Sequence, residues 1–181
     1  MRTTHTCNGK GLLQLSILLL LTLMLWPNQK ARAQTVFLQS GVNFTTPSSG
    51  KSSQVGPIIG FRMDYNEKEH IFFSSGIAYI GGIKDDFYGS YKDYSFFTDI
   101  NWYRQVNNTK LYIGAGPRID FMQNNGNSEM QAGLKTEVGV KFQFGRFVLG
   151  LYGGFNPSFT KLSGGYKVHS VAAGANFGLV L

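Results

Sequence analysis

The sequence has little cysteine, little excess charge and, beyond its first 33 residues, no long apolar run. Its one cysteine is Cys7, so the rest of the chain has no disulfide, no thiolate nucleophile and no cysteine-based metal site. No later stretch reaches the roughly 18 apolar residues of a transmembrane helix. Four of the 17 Lys and Arg residues, and none of the ten Asp and Glu residues, precede residue 34. The remaining net charge of +3 is too small to predict nucleic-acid binding.

The N-terminal segment has the features of a secretory signal peptide. Basic residues precede an apolar run at 12–26, and Ala31 and Ala33 place small residues where a signal peptidase reads them. An uncleaved membrane anchor is the alternative, but the run is short for a spanning helix. The sequence therefore predicts a signal peptide at 1–33 and one domain at 34–181.

The clearest pattern in that domain is strict alternation from Met130 to Phe144. Apolar residues alternate with polar ones and glycines, which is the period of a β-strand with two unlike faces. Strands of soluble sheets are typically about 5–6 residues long, whereas a tilted membrane-spanning strand needs roughly 9–11. The length of this run favours a strand that crosses a membrane.

Eight runs of this kind follow one another, separated by connections that alternate between long and short. Outer-membrane barrels have an even number of strands, short periplasmic turns and longer extracellular loops. The pattern predicts an eight-stranded antiparallel up-and-down β-barrel in the outer membrane, with both chain ends on the short-turn side. The predicted connections are 47–55, 66–69, 81–92, 105–109, 123–129, 145 and 156–167.

Alternation alone does not decide which face is inside, because a soluble lipocalin-like barrel has the same period with its apolar side turned inward. Three features favour the membrane orientation: aromatic residues near strand ends, glycines on the polar faces, and charges of both signs on those faces. The predicted lumen charges are Arg62, Asp64, Asp99, Arg118, Asp120, Lys135 and Glu137. They could form a selectivity constriction or a salt-bridge network that fills the lumen. The second is favoured, because eight strands enclose only enough space for side chains.

Catalytic and metal-binding candidates are few. His169 and Ser170 are adjacent, so on a strand they point to opposite faces and cannot pair as base and nucleophile. His70 lies beside a short turn, and two histidines without a carboxylate at ligand spacing are weak as a metal site. The sequence predicts no catalytic, cofactor or metal site, and a lipid-modifying barrel enzyme is the alternative.

Aromatic residues also occur in the predicted long loops, where they could bind a partner or glycan or anchor in lipid headgroups. The expected partners are membrane lipid and, through these loops, an extracellular ligand or protein, with the chain as a monomer. The loop aromatics are Phe87, Tyr88, Tyr91, Phe159 and Tyr166.

The strand at Lys110 to Phe121, with its Ala115-Gly116-Pro117 centre, resembles the strand motif of the PorT-like outer-membrane β-barrel family of Bacteroidetes-type Gram-negative bacteria. The runs at Phe37 to Phe44 and Glu137 to Phe144 are similar to other strands of that family. Relatives of the small OmpA/OmpX type also fit these short motifs. The resemblance implies a fold and a location. It implies no catalytic residues and no place in a protein-secretion machine.

Overall fold

The computed structural model describes residues 34–47, 54–85, 89–124, 127–162, 165 and 167–181. Each strand pairs antiparallel with the next, and the first pairs with the last, so the sheet closes on itself. The prediction of an eight-stranded antiparallel barrel is confirmed. The strands are β1 (Thr35–Pro47), β2 (Gln54–Lys68), β3 (Ile71–Asp85), β4 (Gly89–Val106), β5 (Thr109–Asn124), β6 (Asn127–Phe144), β7 (Phe147–Asn156) and β8 (Val168–Val180).

The outer surface of the barrel is apolar and its interior is mixed polar. Ile113 and Val138, which are paired neighbours on β5 and β6, are 58% and 54% exposed, whereas Arg62 on the inner face is 1% exposed. Closure pairs the backbone groups of the edge strands, so an apolar exterior can face lipid without unsatisfied donors or acceptors. The apolar side chains point outward, which excludes the soluble lipocalin-like orientation. Within the described ranges, the structure has no helix long and apolar enough to cross a membrane.

One end of the barrel carries tight turns and both ends of the described chain, and we call it the short-turn end. The β6–β7 connection is only Gly145 and Arg146, and Gly145 has a φ of +61°, a conformation that glycine adopts without steric cost. The backbone N–H of Leu181 donates to the carbonyl of Gln34 over 2.8 Å. The predicted position of the two ends is confirmed.

The opposite end, which we call the long-loop end, differs from the prediction at two connections. The predicted loop at 81–92 is wrong, because β3 continues to Asp85 and β4 begins at Gly89, with an irregular register after Ile80. The predicted loop at 123–129 is also mostly strand, since only 125–126 separate β5 from β6. Backbone pairing extends these hairpins where the side chains no longer show clear apolar alternation.

The connection between β7 and β8 packs against the barrel. The N–H of Leu134 donates to the carbonyl of Pro157 over 2.9 Å, and the N–H of Phe159 donates to that of Ala132 over 2.8 Å. Further along, Leu162 is buried among apolar residues near the ends of other strands. We call this group the apolar cap: Ile58, Ile80, Met122, Leu162 and Val168.

Candidate functional site

The lumen contains most of the buried charge of the described chain, and Arg62 on β2 has three polar partners there. Its Nε donates to Asp64 Oδ1 over 2.8 Å, its Nη2 donates to Ser74 Oγ over 2.8 Å, and its Nη1 donates to Glu137 on β6. These residues meet because each occupies an inward position of its strand. One guanidinium thus joins three strands across the barrel.

Glu137 and Lys135 extend this arrangement toward β4 and β5. Glu137 accepts a hydrogen bond from the Tyr112 hydroxyl over 2.5 Å and pairs with Lys135 Nζ at 2.8 Å. Lys135 Nζ also donates to Asp99 Oδ2 over 2.5 Å. Four of the predicted lumen charges therefore lie in one continuous set of ion pairs with Arg62.

Lys141 also belongs to this set, although it is absent from the predicted residues. Its Nζ pairs with Asp64 and lies 4.1 Å from the ring centre of Phe72 and 4.5 Å from that of Tyr112. The sequence signal was available, since Lys141 continues the two-residue spacing of Lys135 and Glu137. We call the completed set the inner network, and its three cations balance its three anions: Arg62, Asp64, Asp99, Lys135, Glu137 and Lys141.

The other predicted charges form a second group nearer the long-loop end. Arg118 Nη2 pairs with Asp120 Oδ2 at 2.8 Å and lies 3.2 Å from Ser158 Oγ. Asp93 is buried beside them and lines the same cavity. Asp93 is absent from the predicted residues because it adjoins 81–92, which the sequence predicts to be a loop. We call Asp93, Arg118 and Asp120 the outer cluster.

Cavities bordered by the described residues lie along the lumen. One of about 180 Å³ lies at the short-turn end, with Asp64 and Lys141 in its wall. A second, of about 40 Å³, is bordered by Arg118, Lys135 and Glu137. The third holds about 10 Å³ beside the outer cluster. Charged side chains of the inner network or of the outer cluster border each of these cavities.

Several lumen rings lie over glycines of the neighbouring strand. Phe37 on β1 is paired with Gly178 on β8, and a Cβ built on Gly178 would lie 2.4 Å from the Phe37 ring. The same relation holds for Tyr112 and Gly139, where the distance is 2.6 Å. The glycines make room for rings that fill the narrow interior.

The catalytic candidates occupy separate positions. Ser170 is buried in the lumen beside Asn156 and Arg118. His169 instead accepts a hydrogen bond at Nδ1 from the backbone N–H of Ser158 over 3.1 Å, and its ring lies 6.4 Å from that of Phe155 on the outer face. The ring of His70 lies at the short-turn end, 6.3 Å from that of Tyr103.

The predicted loop aromatics are only partly described. Phe159 is 59% exposed on the connection between β7 and β8. The backbone of Tyr91 lies in β4, not in a loop. Phe87, Tyr88 and Tyr166 lie outside the described residues. In the ranges that the structure covers, no group of three or more His, Cys, Asp or Glu side chains could hold a metal ion.

Comparisons with known proteins show the fold. No protein-family model matches the sequence, and no curated protein matches it. Among solved structures, Neisserial surface protein A is 17% identical with a TM-score of 0.72, covering 84% of this chain and 100% of that one. Ail of Yersinia pestis, in complex with the heparin analogue sucrose octasulfate, is 15% identical with a TM-score of 0.55, covering 82% and 99%. The outer membrane enzyme PagL is 13% identical with a TM-score of 0.50, covering 81% and 99%. The chain therefore has the fold of small outer-membrane β-barrels.

Proposed function

We propose, from this fold and the apolar exterior, that the chain is a non-enzymatic protein of the outer membrane. Its sealed barrel acts as a structural element or as a support for binding through the long-loop end. The outward side chains support this location, since a continuous apolar surface on a closed barrel is stable in lipid and unfavourable in water.

The observation that carries the proposal is the filling of the lumen by buried ion pairs. Arg62, Asp99 and Glu137 are each at least 97% buried, and they link β2, β4 and β6 across the interior. An eight-stranded barrel encloses only enough space for side chains, and here those side chains are bonded to one another. A function that needs a water-filled channel is therefore disfavoured.

Maturation and family follow from the sequence. We infer that residues 1–33 are a signal peptide removed after Ala33, which leaves the barrel domain at 34–181. We also assign the chain to the PorT-like group on its strand motifs, which include Ala115-Gly116-Pro117 of β5. The finer assignment rests on those motifs alone.

Loop-mediated binding is supported by the way the connection between β7 and β8 is held. Backbone hydrogen bonds fix 157–159 against β6, and Phe159 then projects an exposed ring. Because the backbone that carries this ring is already ordered, less conformational entropy is lost when the ring contacts a partner. We propose an extracellular ligand or protein as that partner, with the chain acting as a monomer.

Two measurements test the sealed barrel. The protein folded in detergent is expected to migrate anomalously on a gel until it is boiled, because a closed barrel resists unfolding. In planar bilayers the same sample is expected to give no steady conductance, since the inner network closes the lumen. Steady ohmic conductance from the heat-modifiable species would contradict the proposal, and a denatured sample serves as the control.

The second candidate, a lipid-modifying enzyme, is raised by the shared fold of PagL. Against it, His169 Nδ1 is already bonded to Ser158 and Ser170 lies inside the barrel. Expression in a Gram-negative host is expected to leave lipid A and phospholipid composition unchanged by mass spectrometry. A new lipid species that disappears in His169→Ala would establish the enzyme instead.

A further inference from the structure

Three buried oxygen atoms in the outer half of the lumen have no hydrogen-bond partner, and the residues that carry them line one cavity. They are Asn43 Oδ1 on β1, Asp93 Oδ1 on β4 and Asp120 Oδ1 on β5. Each of these residues is more than nine-tenths buried. A buried acceptor without a donor is costly, so three around one small space call for a positively charged or donating occupant.

Two of the neighbouring side chains direct donors to other acceptors. Asn43 Nδ2 donates to Thr45 Oγ1 over 3.0 Å. Arg118 directs Nη2 at Asp120 Oδ2 and Ser158, and Nη1 at Ser170. The Ser95 hydroxyl is also hydrogen-bonded to Asp120. The atoms of the cavity-lining residues that have no partner are therefore the three oxygens and Arg118 Nε.

The buried charges of the lumen also lack one positive partner. Five anions and four cations are buried among the described residues, and the inner network is balanced. The excess negative charge thus lies on the outer cluster, where two carboxylates face one guanidinium. An uncompensated buried charge is strongly unfavourable.

We propose that this cavity binds a single monovalent cation of about the size of sodium, held by Asn43, Asp93 and Asp120 with the Thr45 hydroxyl beside them. The volume of about 10 Å³ is close to the space of one water-sized particle. One positive charge balances the outer cluster. Calcium takes six to eight oxygen ligands, more than this wall offers, and a second positive charge would face Arg118.

Two simpler occupants predict different behaviour. A water molecule could accept from Arg118 Nε and donate to two of the oxygens, but it would leave the third unpaired and the charge uncompensated. A proton shared by Asp93 and Asp120 would remove the charge without filling the cavity. With either occupant, the stability of the protein would be the same in a sodium salt and in the salt of a bulky organic cation.

The direct experiment compares crystals of the folded, detergent-solubilised protein grown in sodium chloride with crystals grown in N-methyl-D-glucamine chloride. A difference-density peak bordered by Asn43, Asp93 and Asp120 is expected only in sodium. The absence of such a peak with the side chains ordered would overturn the proposal, and this result needs no variant.

A solution experiment compares thermal unfolding in sodium chloride and in N-methyl-D-glucamine chloride at equal ionic strength. Sodium is expected to raise the midpoint by several degrees, because a ligand that binds only the folded state stabilises it. Asp93→Asn should abolish the difference, whereas Glu67→Gln, an acid that pairs with Lys110 at the short-turn end, should retain it. Equal midpoints in the two salts, or an unchanged sodium effect in Asp93→Asn, would contradict the site. The closed barrel is tested separately, because heat-modifiable migration on a gel does not depend on sodium binding.

Discussion

At the residue scale, Arg62 is the side chain on which the inner network depends. A buried ion pair adds little stability compared with a well-packed apolar alternative, but removal of one partner leaves the other charge unpaired in a medium of low dielectric. Arg62 compensates both Asp64 and Glu137. Its replacement should therefore cost more than the loss of any exposed ion pair.

We expect Arg62→Met to lower the free energy of unfolding by about 3–5 kcal/mol, because two carboxylates lose their guanidinium partner. Urea titration of the folded barrel, followed by the heat-modifiable gel shift, measures this. Lys110→Met is the control, since its pair with Glu67 is partly exposed and should contribute less than about 1 kcal/mol. Equal losses in the two variants would mean that the inner network is not the tightly coupled unit described above.

The structure places the predicted lumen charges on the inner face and divides them into two groups. Alternation places Arg118 and Glu137 on the inner face, but it does not give the height of one strand relative to another. The register between the strands sets this height. It brings Arg118 close to Asp93 and Glu137 close to Arg62. The sequence therefore predicted one network where the structure has two groups.

At the scale of the strands, glycines and aromatic rings are complementary across neighbouring pairs. Phe37 occupies the space that a side chain at position 178 would take, and Tyr112 does the same at position 139. The strands can approach closely and the lumen is still filled. Substitution of such a glycine should force a buried ring to move.

Gly178→Ala is expected to lower the free energy of unfolding by about 1–3 kcal/mol, the usual cost of overpacking an interior. Gly153→Ala is the matched control, because a Cβ there meets only the Ala172 carbonyl oxygen, 3.8 Å away. Urea midpoints of the two variants measure the difference. A control as unstable as Gly178→Ala would point to a general intolerance of an added Cβ at these glycines and not to the Phe37 ring.

The strand boundaries were less predictable than the strands. The stretches 81–85 and 127–129 lack clear apolar alternation, so they read as loops. In the structure their backbones continue the ladders of β3 and β6. Hydrogen bonding between main chains does not require an apolar face, and this is why a hydropathy pattern underestimates the length of these hairpins.

At the scale of the whole molecule, the fold was predictable because every strand of a closed barrel alternates between residues that face lipid and residues that face the lumen. The outward apolar surface also predicts how tolerance to charge varies with depth. Val138 lies well inside β6, whereas Phe144 is its last residue on the same outward face. In lipid the cost of a charged side chain differs between these two positions, whereas in water it would be the same.

We expect Val138→Lys to destabilise the barrel by about 2–4 kcal/mol in lipid vesicles and Phe144→Lys by about 0–1 kcal/mol, since the cost of a lysine falls from the bilayer midplane to the interface. Equilibrium unfolding in phospholipid vesicles measures both. Similar values for the two variants would argue against a membrane-spanning orientation of β6.

The seam between β1 and β8 has a consequence for biogenesis. Thr35 pairs with Val180 and Pro47 with Val168, so the last bonds of the wall join segments that are far apart in the polypeptide. Until β8 pairs with β1, a partly assembled sheet exposes two unpaired edges and an apolar face, which are the features that drive aggregation. An exported precursor of this kind needs escort across the aqueous compartment, and a chain truncated before β8 should be degraded there rather than accumulate as a smaller barrel.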